Sequence, residues 1–196
     1  MKKNANKTTG KKVFREWVES ILIAFVLAMF IRTFVVQAFR IPTGSMRTTL
    51  MEGDVILVNK FIYGAKVPFL PFRLPALRKP VAGDVVVFIY PEDPKKDFIK
   101  RLVACGGDTV EIKNGTIFVN GQPLLEGGFG GRYYYNRGEY GREADKITVP
   151  QGQYFVLGDN SASSQDSRYW GFVPQENLLG KAIFIYWPPQ RLRVIQ

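Results

Sequence analysis

The chain contains no histidine, and that absence narrows its chemistry more than any single motif. A Ser-His-Asp triad, a Cys-His pair and a histidine-bearing zinc site are excluded, and no metal or other cofactor is expected. One cysteine, Cys105, leaves no intrachain disulfide. A serine nucleophile must then be activated by another base, and an uncharged lysine is the natural choice. Ser45 stands between Gly44 and Met46, after the stiff Ile41-Pro42 and a second hydroxyl, Thr43. Pro42 fixes its own φ and holds Ile41 extended, while Gly44 lets another backbone approach. Taken alone, the segment reads as a turn at a strand end.

Free lysine has a pKa of about 10.4, so a lysine base must be desolvated or set beside another cation. Phe98-Ile99-Lys100-Arg101-Leu102-Val103 offers such a place. In a strand, Lys100 shares a face with Phe98 and Leu102, and Arg101 points the other way. Alone, this hexapeptide also fits a lysine with its head in water. Lys60 is the rival base, but it opens a proline-rich stretch where burial is harder to argue. A third element, residues 157–173, reads LGDNSASSQDSRYWGFV: an ordered polar loop with an aromatic anchor, able to set a hydroxyl against the amine. Asp166 and Arg168 can brace it as a charge pair. By itself it also fits a serine-rich surface turn.

Strands must position these groups. Residues 34–41, 54–59, 84–90, 98–103, 109–113, 116–119, 154–157 and 181–186 are rich in Val, Ile and Phe between Gly, Pro, Asn or Asp. Asn114-Gly115 predicts a tight hairpin. Gly53-Asp54, Gly83-Asp84 and Gly107-Asp108 each read as a turn feeding a strand. Residues 60–80, with four prolines, read as a loop packed on the domain rather than an interior strand. Residues 125–146, rich in Gly, Tyr and Arg, read as an exposed insertion. The fold class is mainly β: one N-terminal transmembrane helix, then a β-rich catalytic domain.

The net charge of +10 is uneven, because residues 1–15 carry six of the 27 positive charges and no acid. They form a basic arm, expected to be flexible, and the balance elsewhere removes the case for nucleic acid. Residues 16–34 are long enough to span a bilayer. A cleaved signal peptide and a buried core helix are the competing readings. Small cleavage-site residues are missing after the apolar run, and a polar face is missing from it. The basic arm places the N-terminus in the cytoplasm and residues 35–196 outside.

The order of span, P-T-G-S-M, G-D-V-I-L-V-N-K, G-D-V-V-V-F, F-I-K-R-L-V and G-D-N-S-A-S-S-Q-D-S-R-Y-W-G resembles that of bacterial type I signal peptidases. The resemblance covers the anchor and nearly all of the external domain. It implies a compact, single-span serine endopeptidase of the cytoplasmic (inner) membrane. Such an enzyme acts as a monomer and cuts signal peptides from secretory preproteins after an Ala-x-Ala type site. By the same resemblance Ser45 is the nucleophile and Lys100 the general base. Thr43 helps form the oxyanion hole, Ser164 orients the lysine, and Asp166 and Arg168 form a supporting salt bridge. Ile41 and Ile99 line the small substrate pockets. Thr48 stands where the family often has proline, and Ala104-Cys105-Gly106 replaces a usual Gly-x-Pro. Two alternatives are an inactive relative that binds exported proteins and a self-cleaving Ser/Lys protein like the SOS-response repressors. The latter are soluble and DNA-linked, unlike this chain.

Overall fold

The computed structural model describes residues 5–67, 72–143 and 145–195. Residues 1–4 of the arm, Pro68 and Pro71 of the proline-rich stretch, and residue 144 of the insertion lie outside them.

Helix α1 (Ala5–Phe30) runs on through a π-helical turn, Ile31–Val35. Within it, Lys12–Val35 is long and apolar enough to cross a membrane, and the rest of the protein buries none of its most apolar window. Trp17, Ile21, Leu22, Ile23 and Phe25 all stand exposed, an arrangement that a hydrocarbon environment favours and water does not. The helix already begins at Ala5, so residues 5–15 are helical where a flexible arm was expected. No proline interrupts them, and each residue added to an existing helix brings one more backbone bond.

Twelve strands follow among the described residues. They are β1 (Val36–Arg40), β2 (Val55–Asn59), β3 (Val85–Ile89), β4 (Asp97–Cys105), β5 (Thr109–Lys113), β6 (Thr116–Val119), β7 (Gln122–Pro123), β8 (Ile147–Thr148), β9 (Gln153–Leu157), β10 (Val173–Pro174), β11 (Leu178–Trp187) and β12 (Arg193–Val194). A main sheet has the order β1-β2-β11-β3-β4-β9-β10 with β12 beside β11, and a smaller one has the order β7-β6-β5-β8. Every pairing is antiparallel. All eight expected strands are present. The first starts two residues late, because the helix persists to Val35.

The three Gly-Asp turns share one construction. Gly53, Gly83 and Gly107 all take positive φ, where a side chain would be strained. In each, the Asp carboxylate accepts the N–H of the residue three before it: Met51, Val81 and Cys105. The sheet core divides into a cluster around Ile41, Met46, Leu50, Ile56 and Ile185 and another around Phe88, Leu102 and Val156. A third lies between the sheets and takes in Phe129 and Tyr134. These two residues refine the picture of an exposed insertion: most of 125–146 faces solvent, but Phe129 and Tyr134 anchor it inside the domain.

Candidate active site

Ser45 sits in a single 3-10 turn, Gly44–Met46, held from both sides. Ile41, Met46 and Leu50 are buried in the same core cluster, so the apolar residues flanking the serine pin the segment. From the opposite side, Asn160 donates through its backbone N–H to the Ser45 carbonyl and through Nδ2 to the Gly44 carbonyl, both at 3.0 Å. Gly158 makes this approach possible. A Cβ there would stand 2.6 Å from the Ser45 carbonyl oxygen and run into the Ser164 hydroxyl.

Strand β4 delivers Lys100 from between β3 and β9, with Lys100 opposite Val86. Its Nζ lies 2.8 Å from Ser45 Oγ and donates to the Ile99 carbonyl at 3.1 Å. The side chain is only 4% exposed, with the Phe98 ring 5.2 Å from Nζ. Burial drives its pKa down to about 8; Asp166 and Asp159 oppose the shift and Arg168 adds to it. The pair therefore joins a hydroxyl to an amine that is part neutral near physiological pH. Lys60, the rival, donates instead to Gln37 Oε1 at 3.3 Å.

Thr43 is extended and exposed beside Ser45, and both line a cleft of about 300 Å³ with Lys100, Phe98 and Gln165. A side pocket of about 40 Å³ adjoins it through Pro42, Phe98 and Ile99, walled by Ile41, Phe39, Ile56 and Val87. Ile41 and Ile99 thus both reach the small pocket. Asp166 and Arg168 are fully buried and joined at 2.8 Å. Every guanidinium donor of Arg168 is used, on Asp166, the Ser161 hydroxyl and carbonyl, and the Tyr135 carbonyl. Ser164 departs from expectation. Its hydroxyl is buried near the site but has no hydrogen-bond partner among the described residues, and the amine turns to Ser45 and Ile99 instead.

Two contributors were not singled out from sequence. Arg101, on the opposite face of β4, forms a fully buried two-pronged pair with Asp159 at 2.8 and 2.7 Å. The only signal was the alternation itself, which sends an arginine into the interior and so demands a carboxylate there. Asn160 follows in the same loop, visible in sequence merely as part of a Gly-Asp-Asn turn.

A family model described as signal peptidase, peptidase S26, matches residues 14–187. A signal peptidase I of Pseudomonas aeruginosa is 36% identical, covering 95% of this chain and 78% of that one. One from Aquifex aeolicus is 35% identical, over 88% and 84%. A probable signal peptidase I-1 of Synechocystis is 39% identical, over 90% and 84%. A crystal structure of an Enterococcus faecalis signal peptidase I aligns at 34% identity with a TM-score of 0.43, over 53% of this chain and 97% of that one.

Proposed function

The chain belongs to the signal peptidase family, peptidase S26, and from that membership we propose a single-pass membrane serine endopeptidase that removes signal peptides with a Ser45/Lys100 dyad. The observation that carries the dyad is the 2.8 Å contact between Lys100 Nζ and Ser45 Oγ with the amine buried. Neutral Lys100 takes the Ser45 proton as Oγ attacks the scissile carbonyl, giving a tetrahedral oxyanion. The Ser45 N–H and the Thr43 hydroxyl stabilise that oxyanion. Lys100 then protonates the leaving amine, and a water deprotonated by the same amine hydrolyses the acyl-enzyme. Ser164, with its buried unpartnered hydroxyl, is suited to hold the amine once Ser45 is acylated.

The pocket of about 40 Å³ supports specificity for small residues. Ile41 and Ile99 close it at the size of a methyl group, and a larger side chain would clash. Extended substrate backbone would lie along the cleft, cut after a residue such as alanine. Helix α1 is read as the span, with the basic N-terminal end in the cytoplasm and the β domain outside.

Cleavage of a purified preprotein tests the reading. Ser45→Ala and Lys100→Ala should each lower turnover by at least about 1,000-fold while binding persists. Near-normal cleavage by either variant would leave the dyad without support.

A further inference from the structure

The cleft beside Ser45 and the small pocket next to it share a residue that the proteolytic reading leaves idle, Asp97. It opens β4 three residues before Lys100, and among the described residues it is the one carboxylate lining either space. No hydrogen bond or ion pair engages it among those residues. Its apolar surroundings raise its pKa, and the nearby charge of Lys60 opposes that shift. Lys60 forms no ion pair with it; the ammonium donates to Gln37 Oε1 at 3.3 Å instead. Arg40 also borders the small pocket, but it stands between Phe39 and Ile41, which form the wall, so alternation turns its exposed side chain away.

Strand register says what Asp97 meets. Strand β4 pairs with β3 from Asp97 onward but with β9 only from Arg101, so residues 97–100 present an open edge to the cleft. The Ile99 carbonyl points there already, accepting from the Lys100 amine. An extended substrate added along this edge sets every second side chain on the face that Ile99 and Asp97 share. With the third residue before the cut bond in the small pocket at Ile99, the fifth lies opposite Asp97, because two residues separate the members of both pairs. This end of the cleft adjoins the exit of α1, where the Lys60 N–H bonds the Val35 carbonyl at 2.9 Å. Resting on the proteolytic reading, we propose that Asp97 is a specificity-determining residue for the fifth substrate residue before the bond. Its carboxylate favours a cation or a hydrogen-bond donor there and disfavours a second carboxylate. Opposite charges facing each other across a strand pair attract, and like charges repel.

The test is a set of preproteins with alanine at the first and third residues before the bond and lysine or glutamate at the fifth, cut by the full-length protein. The wild type should show a kcat/KM ratio of lysine to glutamate of roughly three- to tenfold, shrinking as salt is added. Asp97→Asn should bring that ratio close to one, and Asp97→Lys should invert it. A merely structural role for Asp97 would lower both rates together and leave the ratio standing. Moving the charge to the sixth residue, whose side chain faces the other way, should remove the dependence on Asp97. The proposal is overturned by a wild type indifferent to the fifth residue, or by one ratio common to the wild type and both variants. In either case the alanine preprotein is still cut and the proteolytic reading stands. Absence of any cleavage by the wild type would overturn that reading, and the role of Asp97 with it.

Discussion

At the scale of single residues, the proposed dyad makes burial of Lys100 set both a rate and a stability. With its pKa near 8, kcat/KM for a preprotein should rise about tenfold per pH unit below that value and level off above it, as stopped assays across pH 6–10 can measure. The same shift has an energetic sign. An unfolded-state lysine near 10.5 and a folded one near 8 mean that the unfolded chain binds the extra proton between those values. This group's contribution to stability therefore rises with pH across that window, and below it the buried amine is a constant liability. Lys100→Met should abolish cleavage yet stabilise the fold at pH 7 by about 2–3 kcal/mol in urea titration. Asp166→Ala has the opposite sense. It strands the Arg168 guanidinium in the interior, with an expected loss of about 3–5 kcal/mol.

At the scale of elements, the site is a turn, a strand and a loop brought to one point, and the loop acts through Asn160. Asn160→Ala keeps the backbone bond to Ser45 but removes the side-chain bond to the Gly44 carbonyl, leaving that oxygen only the Arg47 N–H of its own turn among the described residues. The turn of the proposed nucleophile loosens, and kcat should fall roughly 10- to 100-fold with little change in KM. Serine restores part of this if the hydrogen bond to the turn is what matters. The turn and the strand were readable beforehand because each carries its own local signature: stiff Ile41-Pro42 beside Gly44, and alternation around Lys100. The chemistry of Arg101 was harder to see. Its partner Asp159 lies 58 residues away, and charge pairing across that separation leaves no local pattern. The two-residue strands β7, β8, β10 and β12 were invisible for a related reason, since two residues carry no periodicity. Ser164 shows a different limit: the loop was foreseen but the direction of its hydroxyl depends on packing against Gly158 and Ser45.

At the scale of the whole molecule, the proposed span puts the apolar helix and the β domain, with its buried amine, in two environments. Right-side-out membrane vesicles treated with an external protease should lose the β domain, whereas inverted vesicles should protect it; the reverse pattern would require the opposite orientation. No gap in the chain separates the two parts. The π-helical turn ends at Val35, β1 begins at Val36, and the Val35 carbonyl already accepts a sheet-type bond from the Lys60 N–H at 2.9 Å. Five residues past the end of β1 comes Ser45. With α1 spanning a bilayer and Ser45 as the proposed nucleophile, the protein lacks the slack to raise or lower its cutting point. It becomes a gauge of height as well as a blade. A substrate whose apolar segment is lengthened by a few residues would carry its small side chains past the reach of Ser45, and that bond would survive even with the right residues around it.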